Sequence, residues 1–271
     1  MMNQSPNMSY RIKGEQLNVE DILAQTATTR LEGPARSELI VIMAGGLGQR
    51  MMPLTNNVPK PLLPIAGHPM LEHIMCQMIR QGFARFCFSV RHLSDQIRDY
   101  FGTGKKWGVE IDYIDEPEPL GTAGGLSLIA TDLHSPIIVA NADLITDLDY
   151  RRVLQRHTDS GASITMCTRK AAFQVPYGVI DCEGDRVTRV VEKPTQSVVI
   201  SAGMYALSPE AVTQIGPQEK IDMPDLIQRC IEKGHYVSSL PIDDRWVDVG
   251  RRQNYQALLD YLDNGTEGNF K

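Results

Sequence analysis

An unbroken apolar run at residues 39–43, Leu-Ile-Val-Ile-Met, empties directly into Ala44-Gly45-Gly46-Leu47-Gly48. Apolar residues without alternation describe a strand covered on both faces, as in parallel sheets layered between helices. Glycines at the strand exit leave backbone N–H groups open to close approach by an anion. The chain then repeats the theme. Strand-like runs at 86–90, 109–114, 137–140 and 163–168 alternate with helical segments at 70–79, 94–101, 122–130 and 149–157. That alternation implies an α/β fold with a Rossmann-like, mixed but mostly parallel central sheet flanked by helices. Residues 187–192 and 200–207 read as strands of a mixed region, and 222–233 as a helix with Pro224 near its start. Met70, Leu71, Ile74, Met75, Met78 and Ile79 form a stripe at helical spacing closed by Gly82, which predicts core packing rather than ligand binding. Ser94 is expected to cap the helix that follows it.

Residues 1–36 read differently, with a polar start, one short helix within 19–31 and Gly33-Pro34 as punctuation. The expected division is an N-terminal extension over 1–36 and one large domain over 37–271. The chain carries 27 Lys and Arg against 33 Asp and Glu, a formal charge of −6, with no basic stripe. That balance argues against a nucleic-acid binder. It does not exclude phosphorylated small molecules, because a pocket sets its own local field. The apolar run at 39–44 is far too short to span a membrane, and no apolar signal core follows Met1. Five scattered cysteines include no CxxC pair and read as reduced, buried thiols. The expectation is a cytoplasmic protein with neither nucleic-acid nor membrane partners.

Two familiar phosphate motifs fail at the glycine loop. A dinucleotide fingerprint needs a third glycine where Met51 stands, and a P-loop needs a Gly-Lys-Ser/Thr that is absent. Instead Arg50 follows the last glycine by two residues, then Pro53-Leu54-Thr55 and Pro59-Lys60-Pro61. Prolines around Lys60 hold its backbone extended and restrict how the lysine is presented. Asp143 sits at the end of the 137–140 strand, where open α/β sheets bind ligands, whereas Asp147 and Asp149 fit the start of a helix.

Six segments in order complete a pattern: the loop at 45–50, Pro59-Lys60-Pro61, Glu118-Pro119-Leu120-Gly121-Thr122-Ala123-Gly124, Asn141-Ala142-Asp143, Val191-Glu192-Lys193-Pro194 and Trp246-Val247-Asp248-Val249-Gly250. Together they resemble the sugar-1-phosphate nucleotidylyltransferases, also called nucleotide-sugar pyrophosphorylases. The resemblance is closest to members of the mannose-1-phosphate and glucosamine-1-phosphate guanylyltransferase type. It implies that 37–271 is a catalytic domain taking a nucleoside triphosphate and a sugar 1-phosphate, and it leaves room for a homo-oligomer. The implied reaction is in-line attack of a sugar-phosphate oxygen on the α-phosphorus, with pyrophosphate leaving. Such chemistry needs positioning and charge neutralisation rather than a protein nucleophile.

The resemblance distributes roles as follows. Gly45, Gly46 and Gly48 offer N–H donors to phosphate, and Arg50 offers a planar fork for the β- and γ-phosphates. Lys60 and Lys193 act as point charges, with Lys193 on the sugar phosphate. Asp143 and Asp248 are the implied Mg²⁺ ligands. Glu116 and Gly121 face the base. A carboxylate accepts only, which suits the N1–H and amino group of guanine and favours GTP. Uridylyl or thymidylyl transfer, and a non-catalytic nucleotide-sugar-binding regulator, remain as alternatives. Tyr177, Gly178, Glu192 and Ser201 match the segments that line the hexose pocket. Ser201 replaces a usual Asn, so the sugar stays open.

Overall fold

The computed structural model describes residues 19–129 and 133–264. The strands are β1 (Arg36–Met43), β2 (Pro64–Ile65), β3 (His68–Pro69), β4 (Phe83–Val90), β5 (Glu110–Asp115), β6 (Ile137–Asn141), β7 (Leu144–Thr146), β8 (Ile164–Gln174), β9 (Val179–Glu183), β10 (Arg186–Val191), β11 (Thr195–Leu207), β12 (Val237–Pro241) and β13 (Trp246–Asp248). The helices are α1 (Val19–Ala24), α2 (Met70–Ile79), α3 (Ser94–Phe101), α4 (Tyr150–Ser160), α5 (Pro209–Val212), α6 (Met223–Glu232) and α7 (Arg252–Asn264).

Seven strands form one sheet in the order β12-β8-β11-β6-β1-β4-β5. Parallel pairing joins β6, β1, β4 and β5, and β12 to β8, whereas β11 runs against both of its neighbours. The mostly parallel α/β sheet expected from the sequence is therefore present, with one reversed strand. Because β1 lies between β4 and β6, the chain crosses to opposite sides of β1, and a crevice opens at the carboxyl ends of these strands. Alternation sorts the core into two layers. Ile40, Ile42, Phe86 and Phe88 face the layer holding α2, while Val41, Cys87, Ile137 and Val139 face the layer holding α6. All six residues of the methionine-rich stripe are buried, as expected of core packing.

Several local readings change. Residues 124–128 form a 3-10 turn, not the helix expected over 122–130, and Ala130 lies outside the described residues. Packing explains this: a Cβ on Gly125 would lie 2.7 Å from Ser89 Oγ, and one on Gly124 would lie 2.9 Å from Leu120 Cβ. These paired glycines serve close approach at the expense of helix propensity. Ser94 opens α3 rather than capping it; the cap is Leu93, at φ 52° and with no side-chain bond. Asp149 does cap α4, accepting from Arg151 N at 3.0 Å. Asp147 instead accepts from Arg245 N at 2.7 Å, tying the 245 segment to the end of β7.

Residues 1–18 of the expected extension lie outside the described residues. Its described part packs on the domain, with Ile22 and Leu23 buried in the α2 layer. His73 pins it there. Its Nε2 lies 2.7 Å from Ile65 O and so donates, leaving Nδ1 to accept from Thr26 Oγ1 at 2.7 Å. Burial, chiefly, pushes the His73 imidazole down from 6.5 to about 4. Unfolded chains take up a proton below about 6.5 that folded His73 refuses until about 4. This contribution is full above that window and is lost as pH falls through it, about 3 kcal/mol in total. Thermal unfolding from pH 7 to 4 should show this slope, and His73→Gln should flatten it.

Candidate active site

Every strand of the parallel core ends at the same edge. β1 leads into Gly45, Gly46 and Gly48, β4 into Arg91, β5 into Glu116, and β6 into Asp143. These residues line a cleft of about 550 Å³ together with Arg50, Lys60, Gly121 and Gly250. Gly48 sits at φ 63°, and Thr55 Oγ1 donates to its carbonyl at 2.9 Å, so the Pro53-Leu54-Thr55 segment closes the glycine loop. A Cβ on Gly48 would meet Thr55 at 2.9 Å and Lys60 Cβ at 3.2 Å, which accounts for glycine there.

Asp143 and Asp248 lie far apart in sequence but are joined by a small antiparallel ribbon. β7 pairs with β13, setting Asp248 opposite Leu144, and Val249 N donates to Asp143 O at 2.9 Å. Lys60 Nζ pairs with the Asp143 carboxylate, and both side chains are largely buried. Gly250 N donates to Asp248 Oδ1 at 2.7 Å. Burial first, then the neighbouring Asp143 charge, pushes the Asp248 carboxyl above the ordinary carboxylate range, against the pull of Gly250 N–H, Lys60 and Arg50. Gly250 fills the space between these groups. A Cβ there would lie 2.7 Å from Asp248 Oδ1, 3.0 Å from Lys60 Nζ and closer still to Asp143.

Two partly buried carboxylates close to one lysine form a donor set suited to a hard divalent cation. Mg²⁺ usually takes one or two protein carboxylates and completes its shell with water and phosphate oxygens. Among the described residues no group of three or more metal-ligating side chains forms, so substrate and water would have to supply the other ligands.

Glu116 is only 8% exposed and already has partners. Ser89 Oγ donates to its Oε1 at 2.5 Å, and Leu120 N donates to its Oε2 at 3.2 Å. Each oxygen keeps a second lone pair for a ligand. Gly45 and Gly125 flank the carboxylate closely, with Cβ positions 2.9 and 3.2 Å from Oε1. Asp222 holds the Gly121-Thr122 turn, accepting from Thr122 N at 2.8 Å.

A second cleft of about 340 Å³ shares Arg50, Asn141 and Asp143 with the first. Asp248, Ser201 and Trp246 also line it. Ser201 Oγ lies 2.7 Å from Tyr205 Oη, and Trp246 Nε1 donates to Ala202 O at 2.9 Å. Arg50, Lys60, Asp143 and Asp248 therefore gather where the two clefts meet, whereas Lys193, expected with them to act on the phosphates, does not. Tyr177, Gly178, Glu192 and Lys193 gather elsewhere, on the β9–β10 hairpin carried by the outer ends of β8 and β11. Lys193 N donates to Tyr177 O at 3.2 Å, and a Cβ on Gly178 would lie 3.2 Å from Glu192 Oε2. None of these four lines either cleft. Sequence reasoning passed over Arg91, Asn141 as a wall of both clefts, and Arg251 and Asn254 in the second. Asn254 was within reach of inspection, since it follows the Asp248 turn and starts a stretch with helical apolar spacing at Tyr255, Leu258 and Leu259.

The sequence model of the nucleotidyl transferase family matches residues 39–264, and the chain belongs to that family. It is 32% identical over 223 residues to the mannose-1-phosphate guanylyltransferase catalytic subunit beta of Danio rerio, covering 79% of this chain and 62% of that protein. It is 29% identical over 243 residues to the UTP–glucose-1-phosphate uridylyltransferase of Synechocystis sp., covering 82% and 63%. The chain thus spans a little under two thirds of the length of these relatives. HddC from Yersinia pseudotuberculosis, solved in complex with GMP-PN, superposes with a TM-score of 0.65 at 25% identity, over 83% of this chain and 99% of that one. A chain from Bacillus anthracis solved with sucrose shares the fold at a TM-score of 0.66 and 20% identity, over 84% and 96%.

Proposed function

We propose that the protein transfers a nucleoside monophosphate from a nucleoside triphosphate to a sugar 1-phosphate, releasing pyrophosphate. The observation that carries this reading is the meeting of two clefts at Arg50, Asn141 and Asp143, with Lys60, Asp248 and Gly250 around the join. The first cleft takes the triphosphate and the second the sugar phosphate. One oxygen of the sugar phosphate forms a bond to the α-phosphorus as the bond to the β-phosphate oxygen breaks, and no protein group is acylated or phosphorylated. The glycine loop N–H groups and the Arg50 fork hold the β- and γ-phosphates, so charge building on the leaving pyrophosphate is already neutralised. Lys60, braced against Asp143, supplies a fixed positive charge between the two phosphates.

Asp143 and Asp248 would hold Mg²⁺. The ion would neutralise phosphate charge and lower the cost of bringing two anions together. Ser201 meets the sugar from the cleft wall. Lys193, Tyr177, Gly178 and Glu192 line neither cleft, so their sugar-side role rests on the resemblance of their segments and requires the hairpin to approach the bound sugar. Lys193→Ala is expected to raise KM for sugar 1-phosphate about tenfold and leave KM for nucleotide unchanged. Steady-state kinetics with each substrate varied in turn measures this. Equal effects on both substrates would remove Lys193 from the sugar side.

GTP is the favoured nucleotide. Support comes from Glu116, an acceptor facing the first cleft, from the guanylyltransferase relative, and from the neighbour complexed with GMP-PN. The uridylyltransferase relative favours the second reading, uridylyl transfer by the same chemistry. An equimolar mixture of GTP, UTP, dTTP and ATP with a hexose 1-phosphate decides between them. A GDP-sugar should dominate the product masses, and a dominant UDP- or dTDP-sugar would overturn the guanylyl choice.

A further inference from the structure

Arg91 is the first residue beyond β4, the strand between the glycine-loop strand β1 and the Glu116 strand β5. Its backbone surroundings are fixed: Ala44 N donates to Ser89 O at 2.8 Å, and Glu116 N donates to Val90 O at 3.1 Å. Arg91 lines the first cleft with Gly45, Glu116 and Gly121, and it takes no part in the second. Its Nε is buried and has no hydrogen-bond partner among the described residues. A guanidinium only donates, and a buried N–H left without an acceptor is costly, so this cleft-lining side chain favours a ligand that carries acceptors.

We propose that Arg91 is a specificity-determining residue that donates to the O6 and N7 acceptors of a bound guanine, while Glu116 accepts from the N1–H and 2-amino group. The inference rests on the guanylyl reading above. Guanine carries acceptors on one edge and donors on another, and a forked cation matches its O6 and N7 in the geometry that arginine uses on guanine elsewhere. Glu116 retains one lone pair on each oxygen beside its Ser89 and Leu120 bonds, so it can take the donor edge. Adenine would bring a 6-amino donor against the guanidinium. A pyrimidine has no N7 to meet it.

The test compares kcat/KM for GTP and 7-deaza-GTP, which lacks the N7 acceptor, in the wild type and in Arg91→Met. The wild type should lose about tenfold on 7-deaza-GTP. The variant should lose at least as much on GTP and suffer no further loss on the analogue. Arg91→Lys, which keeps one donor and the aliphatic stem, supplies the same comparison if the methionine variant does not fold, with the penalty reduced. A penalty of equal size in wild type and variant, or none in the wild type, overturns the Arg91 assignment alone. A wild type that prefers UTP or dTTP overturns the guanylyl reading, and the O6/N7 contact falls with it.

Discussion

Asp143→Asn and Asp248→Asn should each lower kcat by roughly a thousandfold, the loss expected when charge stabilisation worth several kcal/mol disappears from phosphoryl chemistry. Their effects on stability should have opposite signs. Asp143→Asn removes the partner of Lys60 and leaves a largely buried ammonium without its carboxylate, so the melting temperature should fall. Asp248→Asn removes a partly buried charge that desolvation and Asp143 already disfavour, while the amide oxygen still accepts from Gly250 N. Its melting temperature should rise as its turnover falls, the trade expected where a site stores like-charge repulsion. Thermal unfolding alongside steady-state kinetics reads both quantities. Wild-type turnover in either variant would contradict the paired-carboxylate site.

Gly250→Ala should be nearly as severe. The new methyl would fall 2.7 Å from Asp248 Oδ1 and 3.0 Å from Lys60 Nζ, and nearer still to Asp143. The carboxylate pair and the lysine would all have to move, and a displacement of about 1 Å at a reacting centre costs on the order of a hundredfold in rate. Nucleotide affinity should fall less than turnover, because Lys60 moves but the glycine loop and Glu116 lie outside the displaced group. Calorimetric titration with GTP beside kcat/KM separates the two effects. Activity within a few-fold of wild type would mean that the three side chains are not held in fixed register.

Much of the fold was legible because β1, β4 and β6 each hold a short unbroken apolar stretch, Leu39 to Met43, Phe86 to Phe88 and Ile137 to Ala140, a signal set by burial on both faces. The glycine loop was legible for the same reason, since it directly follows such a run. Asp143 could be placed at the end of the 137–140 strand, but its pairing with Asp248 could not be read from periodicity. β7 and β13 have three residues each, too few to show a period, and only the resemblance of the Trp246-Val247-Asp248-Val249-Gly250 segment linked them. The sequence suggests Glu116 as a base contact, but its bonds to Ser89 Oγ and Leu120 N depend on tertiary closeness that no local pattern carries. The helix expected at 122–130 failed because Gly124 and Gly125 answer to packing against Leu120 and Ser89 rather than to helix formation. Arg91 escaped notice since a single arginine after a strand has no sequence signature, and only its position in the cleft singles it out.

Phosphorus-31 NMR of a reaction containing GTP, Mg²⁺ and a panel of hexose 1-phosphates tests the proposed transfer most directly. Pyrophosphate and the paired resonances of a nucleoside-diphosphate sugar should grow at equal rates with one member of the panel, and Asp143→Asn should abolish both. Inorganic phosphate as the product, or an unchanged spectrum with every nucleotide and sugar phosphate tried, would contradict nucleotidyl transfer at this site.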